Sequence, residues 1–158
     1  MSAPHHAVFD CNVFLQAMIS ARGPASECLR RVFGGEVLLY VSQTILKELR
    51  SLPNHAKLRK FRQLSQDKIE AFIVELLDVA VLADTPQTRF VYPRDPDDAH
   101  YVNLAIATGS MLVVSNDQDL LVLMTDGSPE GKALRSEYPS FQVLTPPQFL
   151  TVLVTKRE

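Results

Sequence analysis

The sequence predicts an α/β protein, a three-layer α/β/α sandwich around a central, mostly parallel sheet of about four to five strands. Short apolar runs, which are typical of buried parallel strands, alternate along the chain with segments whose apolar residues recur at helical spacing. This alternation favours parallel pairing, with helices on both faces of the sheet. The 158 residues are 46% hydrophobic and 22% charged, which suits one domain, residues 1–158, with a sizeable core.

The first half of the chain is divided into elements by helix caps, prolines and glycines. Ala7–Phe9 is an apolar strand that ends at Asp10, and Asn12 is expected to cap a helix that extends to residue 18 or 19. The same signals predict helix Ala25–Phe33, strand Val37–Val41, a helix capped by Ser42 and stopped by Pro53, helices His55–Leu64 and Ser65–Asp78, and strand Val79–Leu82.

The second half of the chain contains the clearest helix start. After a loop through Thr85–Pro93, the run Asp95-Pro-Asp-Asp98 combines an aspartate cap with a proline in the first turn. That helix extends to about Thr108, and Gly109 ends it. The remaining predicted elements are strand Met111–Val114, short helix Asp117–Leu123, a polar loop or irregular helix over Gly127–Pro139, strand Phe141–Leu144 and helix Pro146–Val154.

Composition and charge argue against several kinds of protein. No apolar run has the length of a membrane span, and the first residues lack the pattern of a signal peptide, so we expect a cytoplasmic protein that does not associate with membranes. Cys11 and Cys28 have neither the spacing of a zinc-binding pair nor the number needed for a disulfide framework. Because the net charge is −2, binding of nucleic acid would have to come from a local basic patch.

Acidic residues are concentrated where the predicted strands end. Asp10 ends the first strand, whereas Asp117 and Asp119 follow the strand that precedes the short helix. Asp98 lies in the first turn of the helix that leads into that strand, and Glu48 lies early in the helix after the second strand. Open parallel sheets bind ligands outside the carboxyl ends of their strands, where the antiparallel helices also begin. We therefore expect these side chains to meet in one cleft.

Carboxylates that converge in this way repel one another, and burial raises their pKa values. A hard divalent cation resolves the conflict, and Mg²⁺ and Mn²⁺ prefer oxygen ligands. Such a site suits phosphoryl chemistry. Each acid alone also has a structural explanation, since Asp98 stabilises a helix dipole, Glu48 can be solvated, and Asp117 can cap a helix. Their shared edge is what favours a metal site.

Other chemistries also place an aspartate after the first strand. Phosphatases of the haloacid dehalogenase type need a second acid two residues later, where this chain has Asn12. Receiver domains need an acidic pair before that aspartate, and dinucleotide sites need a glycine-rich loop after the first strand; the chain has neither. A protein of the same fold that binds RNA or a partner without cleaving stays an alternative to a nuclease.

Several stretches, taken in order and spacing, carry a resemblance to a known family. They are Val8-Phe-Asp10-Cys-Asn12-Val13, Val41-Ser42-Gln-Thr-Ile-Leu-Lys-Glu48-Leu49, Arg94-Asp-Pro-Asp-Asp98 with Leu104-Ala105, Val113-Val-Ser115-Asn-Asp117-Gln-Asp119-Leu-Leu121, and Val143-Leu-Thr-Pro146 with Phe149-Leu150. Over nearly its whole length the chain resembles PIN-domain nucleases, in particular the VapC-like toxins of bacterial toxin–antitoxin pairs.

The resemblance implies a quartet of catalytic acids that bind Mg²⁺ or Mn²⁺, namely Asp10, Glu48, Asp98 and Asp117. It also implies that Asn12 orients Asp10 and that the Ser115 hydroxyl lies near the metal or the substrate phosphate. Asp117 is favoured over Asp119 because it is nearer the strand end. Cys11 stands where the family usually has threonine or serine, and strand alternation predicts that its side chain points away from the site.

By the same resemblance, the chain is an endoribonuclease that hydrolyses RNA and leaves a 5′-phosphate and a 3′-hydroxyl. It would be the toxin of a pair whose cognate antitoxin inserts a segment into the acidic cleft. Apolar residues of the predicted helices Ala25–Phe33 and Ser65–Leu77 would serve a homodimer.

Positive charge lies beside the proposed acids in the sequence. The segment Lys57–Arg62 is a candidate phosphate-contacting surface, with a solvated helix as the alternative. The other basic residues near the acids are Lys47, Arg50 and Arg94. The histidines are not expected to bind metal: His5 and His6 are interpreted as tail residues and His100 as a polar helix residue.

Overall fold

The computed structural model describes residues 3–155 and is built on a five-stranded sheet. The strands are β1 (His5–Phe9), β2 (Val37–Val41), β3 (Val81–Leu82), β4 (Leu112–Val114) and β5 (Gln142–Leu144). They pair in the order β3-β2-β1-β4-β5, and each of these pairings is parallel, as predicted. Residues 1–2 and 156–158 of the predicted domain lie outside the described residues.

The described helices flank this sheet. They are α1 (Cys11–Ile19), α2 (Pro24–Phe33), α3 (Gln43–Ser51), α4 (Gln66–Val79), α5 (Ala99–Thr108), α6 (Gln118–Leu121), α7 (Pro129–Glu137) and α8 (Pro146–Thr155). α2 packs against α1 and α8, α3 packs against α4, and α5 lies across β1, β2 and β4. This arrangement confirms the predicted α/β/α sandwich. Within residues 3–155, no helix combines the length and the apolar character needed to span a membrane.

The order of the strands reverses at β1, which lies between β2 and β4. Phe9 is in register with Val114, and the backbone N–H of Asp10 donates to the carbonyl of Val114 at 3.1 Å. The residues that directly follow these strands, Asp10 after β1 and Ser115 after β4, therefore lie side by side at the carboxyl edge of the sheet. Ligands of open α/β sheets bind at such a reversal.

The core holds this edge in place through β1. Phe9 is fully buried and contacts an aromatic ring on each of two helices. Its ring lies 5.9 Å from that of Phe14 on α1 and 6.0 Å, edge to face, from that of Phe149 on α8. Aromatic pairs at such distances prefer specific orientations. The residue before Asp10 is thus fixed by packing on two helices.

The N-terminal histidines are part of the sheet. The backbone N–H of His5 donates to the carbonyl of Glu36 at 3.0 Å, and His6 Nδ1 and the Tyr40 hydroxyl share a hydrogen bond of 2.9 Å. Their interpretation as tail residues was wrong, because β1 begins two residues before the apolar run that marks it in the sequence.

The predicted helix His55–Leu64 is also wrong. This segment forms two 3₁₀ turns, Ala56–Leu58 and Arg62–Leu64, without a continuous α-helix. Its apolar residues Leu58, Phe61 and Leu64 are three residues apart, which matches the three residues per turn of a 3₁₀ helix. All three pack on the core, with Leu64 buried, while the basic side chains between them are exposed.

The segment Gly127–Pro139, predicted as a loop or irregular helix, contains the regular helix α7. Ser128 caps it by accepting from the N–H of Gly131 at 3.0 Å, and Pro129 occupies its first turn. A Cβ atom at Gly131 would lie 2.1 Å from the carbonyl oxygen of Leu123, so only glycine allows the helix to approach this closely. α7 contains few apolar residues, so its sequence shows no apolar stripe from which a regular helix could be predicted. The helix packs instead through the close approach of Gly131 to the backbone of Leu123.

Replacement of Gly131 by alanine is expected to destabilise the protein. The new methyl group would collide with backbone, which cannot move aside by a change of rotamer, and overpacking of this kind costs about 1–3 kcal/mol. The gain in helix propensity, about 1 kcal/mol, offsets part of that cost. Urea unfolding should show a lower midpoint for Gly131→Ala. The matched control is Gly127→Ala, whose Cβ would have its nearest neighbour at 3.9 Å and should leave the midpoint nearly unchanged.

Candidate metal centre

Asp10 joins β1 to α1 and caps that helix. Its Oδ1 accepts hydrogen bonds from the backbone N–H groups of Asn12 at 2.7 Å and Val13 at 3.2 Å. The expectation that Asn12 is the cap was wrong, because the helix begins at Cys11 and the carboxylate before it satisfies the free amides of the first turn. Asn12 therefore contacts Asp10 through its backbone, and its side chain is exposed.

Ser115 connects Asp10 to the acids after β4. Its side chain is fully buried, and its hydroxyl donates to Asp10 Oδ2 while accepting from the backbone N–H of Asp117 at 2.9 Å. Burial raises the pKa of Asp10, and the hydrogen bond from Ser115 lowers it only in part. The negative charge of Asp117 raises it further. Asp10 is thus an oriented carboxyl group, 2% exposed, in surroundings that disfavour its charge.

Asp98 lies at the end of the 3₁₀ turn Pro96–Asp98, immediately before α5. Burial raises its pKa to about 9, and a hydrogen bond with Asp117 and the charge of Asp95 add to this effect. Two carboxyl groups can share a hydrogen bond only if one of them carries a proton. With its pKa at about 9, Asp98 holds that proton near neutral pH. A divalent cation in the place of the proton would allow Asp98 to ionise.

Asp117 also belongs to a compact cluster of acids. Asp95, Asp117 and Asp119 each offer a carboxylate oxygen, and these oxygens all lie within 4.8 Å of one another. Asp119 Oδ1 forms an ion pair with Arg94 Nε at 2.8 Å, which offsets part of the charge of Asp119. The predicted quartet and this cluster share Asp117, whereas Asp10, Glu48 and Asp98 lie outside the cluster. From the sequence, Asp95 is expected only to cap a helix.

The irregular segment 83–95 is fixed to the rest of the site. Asn103, on α5, is 5% exposed and uses both ends of its amide. Its Oδ1 accepts from the N–H groups of Arg89 and Phe90, both at 2.8 Å, and its Nδ2 donates to the carbonyl of Phe90 at 2.9 Å. Further along, the buried Tyr92 donates its hydroxyl proton to the carbonyl of Asp119 at 2.7 Å. These contacts fix the segment that carries Arg94 and Asp95, so that Arg94 pairs with Asp119 and Asp95 lies beside Asp117 and Asp119.

Glu48 is held from two sides by residues of α5. Its Oε2 accepts a hydrogen bond from the Tyr101 hydroxyl at 2.7 Å, and its Oε1 contacts His100 Nε2. His100 is therefore more than a solvated polar residue of its helix. Sequence reasoning missed Tyr101 and Asn103. The signals were present, since Tyr101 follows Asp98 at the i+3 spacing of one helix face, and Asn103 interrupts an apolar stretch.

Cys11 is the first residue of α1, so the strand alternation from which the direction of its side chain was predicted does not apply to it. Burial, together with the charges of Glu48, Asp10 and Asp98, raises the pKa of its thiol to about 12. The thiol is therefore uncharged at neutral pH and lies close to the proposed acids.

The basic residues proposed for phosphate contact differ in their surroundings. Lys57, Arg59, Lys60 and Arg62 are all exposed, as a phosphate-contacting surface requires. The ammonium group of Lys60 lies 5.1 Å from the centre of the Phe61 ring. Arg50, by contrast, forms an ion pair with Glu70 at 2.8 Å.

The donor set fits a hard divalent cation. The acids offer only carboxylate oxygens, which Mg²⁺ and Mn²⁺ prefer. Burial and the neighbouring acids raise the pKa of Asp98, which marks a position where positive charge would relieve repulsion between carboxylates. A cation at this carboxyl edge would be held mainly by groups that the fold has already oriented.

Comparison with known proteins agrees with this fold. A family model described as a PIN domain matches residues 6–119, which confirms the resemblance seen in the sequence. The uncharacterized protein MJ1680 of Methanocaldococcus jannaschii is 30% identical over 143 residues, which cover 90% of this chain and 88% of that protein. A chain from the crystal structure of VapBC2 of Rickettsia felis, bound to a DNA fragment from its promoter, superposes with a TM-score of 0.52. That match covers 89% of this chain and 98% of the other at 11% identity, and at this identity it shows the fold alone.

The raised pKa values predict how stability depends on pH. A carboxyl group with a raised pKa binds its proton more tightly in the folded than in the unfolded chain, so the folded state loses stability as pH rises. For Asp98 this loss extends from its ordinary pKa of 3.8 to about 9, and Asp10 acts in the same direction. In EDTA, the urea midpoint should fall between about pH 5.5 and about pH 8.5.

Two comparisons test the assignment of this pH effect. Asp98→Asn should flatten the dependence, because the amide does not titrate. Added Mn²⁺ should raise the midpoint of the unmodified chain more at the higher pH, where its ligands are deprotonated. A midpoint that stays constant or rises with pH in EDTA would contradict the prediction.

Proposed function

The chain belongs to the PIN domain family, and from this we propose that it is a divalent-metal-dependent endoribonuclease that hydrolyses phosphodiester bonds in RNA. The observation that carries the proposal is the grouping of acids at the carboxyl edge where β1 and β4 meet: the Ser115 hydroxyl donates to Asp10 and accepts from the backbone N–H of Asp117, whose carboxylate clusters with two further acids. It supports a cation site at the position where this sheet would bind a ligand. We propose that residues 1–158 form a single PIN domain.

The proposed ligands and catalytic acids are Asp10, Glu48, Asp98 and Asp117. When bound, Mg²⁺ or Mn²⁺ supplies positive charge that activates water and stabilises the leaving oxygen of a phosphodiester. Asp117 is preferred to Asp119 because Arg94 already offsets the charge of Asp119. Asp95 and Asp119, whose carboxylate oxygens lie within 4.8 Å of that of Asp117, add acidic groups at this edge and support a role for it in binding cations.

The chain's own residues prepare this chemistry. Asp10 is oriented by the amides of Asn12 and Val13 and by the Ser115 hydroxyl, so little rearrangement is needed when it binds a cation. We propose that Asn12, whose side chain is exposed, and Ser115 also contribute to substrate binding. The exposed basic residues of Lys57–Arg62 would contact RNA phosphates, which position a substrate without reading its sequence.

We further propose that the protein is the toxin of a toxin–antitoxin pair and acts in the cytoplasm. The resemblance to VapC-like toxins and the fold shared with a chain of VapBC2 support this role. The cognate antitoxin would cover the acidic edge. A homodimer also stays a prediction: on the helices proposed for it, Phe33, Val74 and Leu77 are exposed by 40%, 63% and 36%.

A cleavage assay tests the proposed activity. Unstructured and hairpin RNAs should be cut in Mg²⁺ or Mn²⁺ and left intact in EDTA, and Asp10→Asn or Asp98→Asn should lower the rate about 100-fold or more. Asp78→Asn is the matched control, because Asp78 is exposed near the end of α4, which leads to the start of β3 and hence to the opposite edge of the sheet. Its rate should equal that of the unmodified chain.

The chemical ends of the RNA products test the proposed reaction. Gel and mass analysis should find 5′-phosphate and 3′-hydroxyl ends. Binding of RNA without cleavage at every concentration of either metal would contradict the nuclease and favour the non-cleaving binding protein. Equal loss of activity in Asp78→Asn and Asp10→Asn would indicate a general effect of charge instead of a metal site.

A further inference from the structure

We propose that Tyr101 is a positioning residue for Glu48: its hydroxyl fixes the Glu48 carboxylate against the first turn of α1 and thereby prepares the cation site. The inference deepens the proposed function and rests on it. Tyr101 was not among the residues selected from the sequence, and its proposed role depends on its hydroxyl oxygen.

The Tyr101 hydroxyl joins elements that are distant in sequence. Tyr101 lies on α5 and is 2% exposed. Its hydroxyl donates to Glu48 Oε2 on α3 at 2.7 Å and accepts from the backbone N–H of Cys11 on α1 at 2.9 Å. Cys11 directly follows Asp10, the cap of the same helix. One hydroxyl thus relates the position of Glu48 to that of Asp10.

The direction of these hydrogen bonds is fixed by their chemistry. The backbone N–H of Cys11 can only donate, so it occupies a lone pair of the Tyr101 oxygen. The single hydroxyl proton is therefore available to Glu48, whose Oε2 accepts it at 2.7 Å.

The other oxygen of Glu48 is restrained through the neighbouring residue. His100 Nε2 contacts Glu48 Oε1, and the His100 ring lies 4.0 Å from the Tyr101 ring, centre to centre. The Glu48 side chain is 36% exposed, so packing alone does not fix its rotamer. Contacts from α5 to both carboxylate oxygens supply that restraint.

The hydroxyl is what distinguishes Tyr101 from a core aromatic residue. A phenylalanine would fill the same space, whereas a buried hydroxyl is unfavourable unless it forms hydrogen bonds. Here its partners are an acid of the proposed metal site and the helix turn that follows another such acid. Loss of an outer hydrogen bond to a metal ligand typically weakens metal affinity or activity 10–100-fold.

The test removes that oxygen atom alone. We expect Tyr101→Phe to bind Mn²⁺ about tenfold more weakly than the unmodified chain, measured by the electron paramagnetic resonance signal of free Mn²⁺. Tyr40→Phe is the matched control, because it removes a tyrosine hydroxyl that bonds His6 on the sheet. It should leave the Mn²⁺ affinity unchanged. Urea unfolding of both variants measures their stability separately.

A double-mutant cycle distinguishes positioning from a general structural effect. If Tyr101 acts through Glu48, Tyr101→Phe should change Mn²⁺ affinity little in a Glu48→Gln background, since the carboxylate that it orients is then absent. Additive losses in the double variant would overturn the proposal. If Tyr101→Phe does not fold, Glu48→Asp serves instead: its shorter carboxylate cannot keep both contacts, and unchanged Mn²⁺ affinity would overturn the proposal.

The outcomes separate this inference from the proposed nuclease. With RNA as substrate, Tyr101→Phe should lower kcat about tenfold and leave KM within about twofold. Metal binding that weakens in Tyr101→Phe, with no RNA cleavage by the unmodified chain, would support the positioning role and contradict the nuclease. Equal Mn²⁺ affinity in Tyr101→Phe and Tyr40→Phe would overturn the positioning role of Tyr101. That result would not contradict the proposed nuclease activity. An unmodified chain that binds no Mn²⁺ would overturn both.

Discussion

The parallel pairing of β1 with β4 determines the rest of the site. It brings the end of the first strand, at Asp10, next to Ser115, which lies 105 residues later in the chain. Ser115 then holds the backbone of Asp117, and Asp117 contacts Asp98 at the start of α5. Each acid is thus located relative to one junction of two strands. A shift in the register of this pairing by one residue would move Asp10 away from Ser115 and separate the acids.

The fold accommodates this concentration of negative charge by giving each acid a different partner. Asp10 accepts hydrogen bonds from two amides and a hydroxyl, Glu48 is held by Tyr101, and Asp119 is paired with Arg94. These contacts reduce the cost of burial without removing it, since the pKa values of Asp10 and Asp98 stay raised. The remaining repulsion is electrostatic energy that a cation bound at this edge would relieve.

Local signals in the sequence were sufficient for much of the fold. Ser42 caps its helix as predicted, Gly109 ends α5 in the left-handed conformation, and strand Val37–Val41 has the predicted bounds. These features depend on residues close together in the chain. The predicted acids were located by the same reasoning, because strand ends and helix starts share an edge in any parallel α/β sheet.

Contacts between distant residues were beyond such reasoning. The hydrogen bond from Tyr101 to Glu48 joins residues 53 apart, and that of Tyr92 to Asp119 joins residues 27 apart. No local periodicity encodes them. The prediction for Cys11 had a different weakness, since it extended strand alternation by one residue into a helix. The segment predicted as helix His55–Leu64 forms two 3₁₀ turns, whose spacing of three apolar residues suits a 3₁₀ helix and not a continuous α-helix.

The separation of 105 residues between Asp10 and Ser115 also affects when the acidic site can form during synthesis of the chain. A chain that is synthesised from its N-terminus presents Asp10 long before Ser115 and Asp117 have left the ribosome. Until β4 docks on β1, Asp10 lacks the hydroxyl that orients it, and Asp98 lacks its neighbour Asp117. The acidic centre is therefore a late product of folding, absent from every nascent chain that ends before β4.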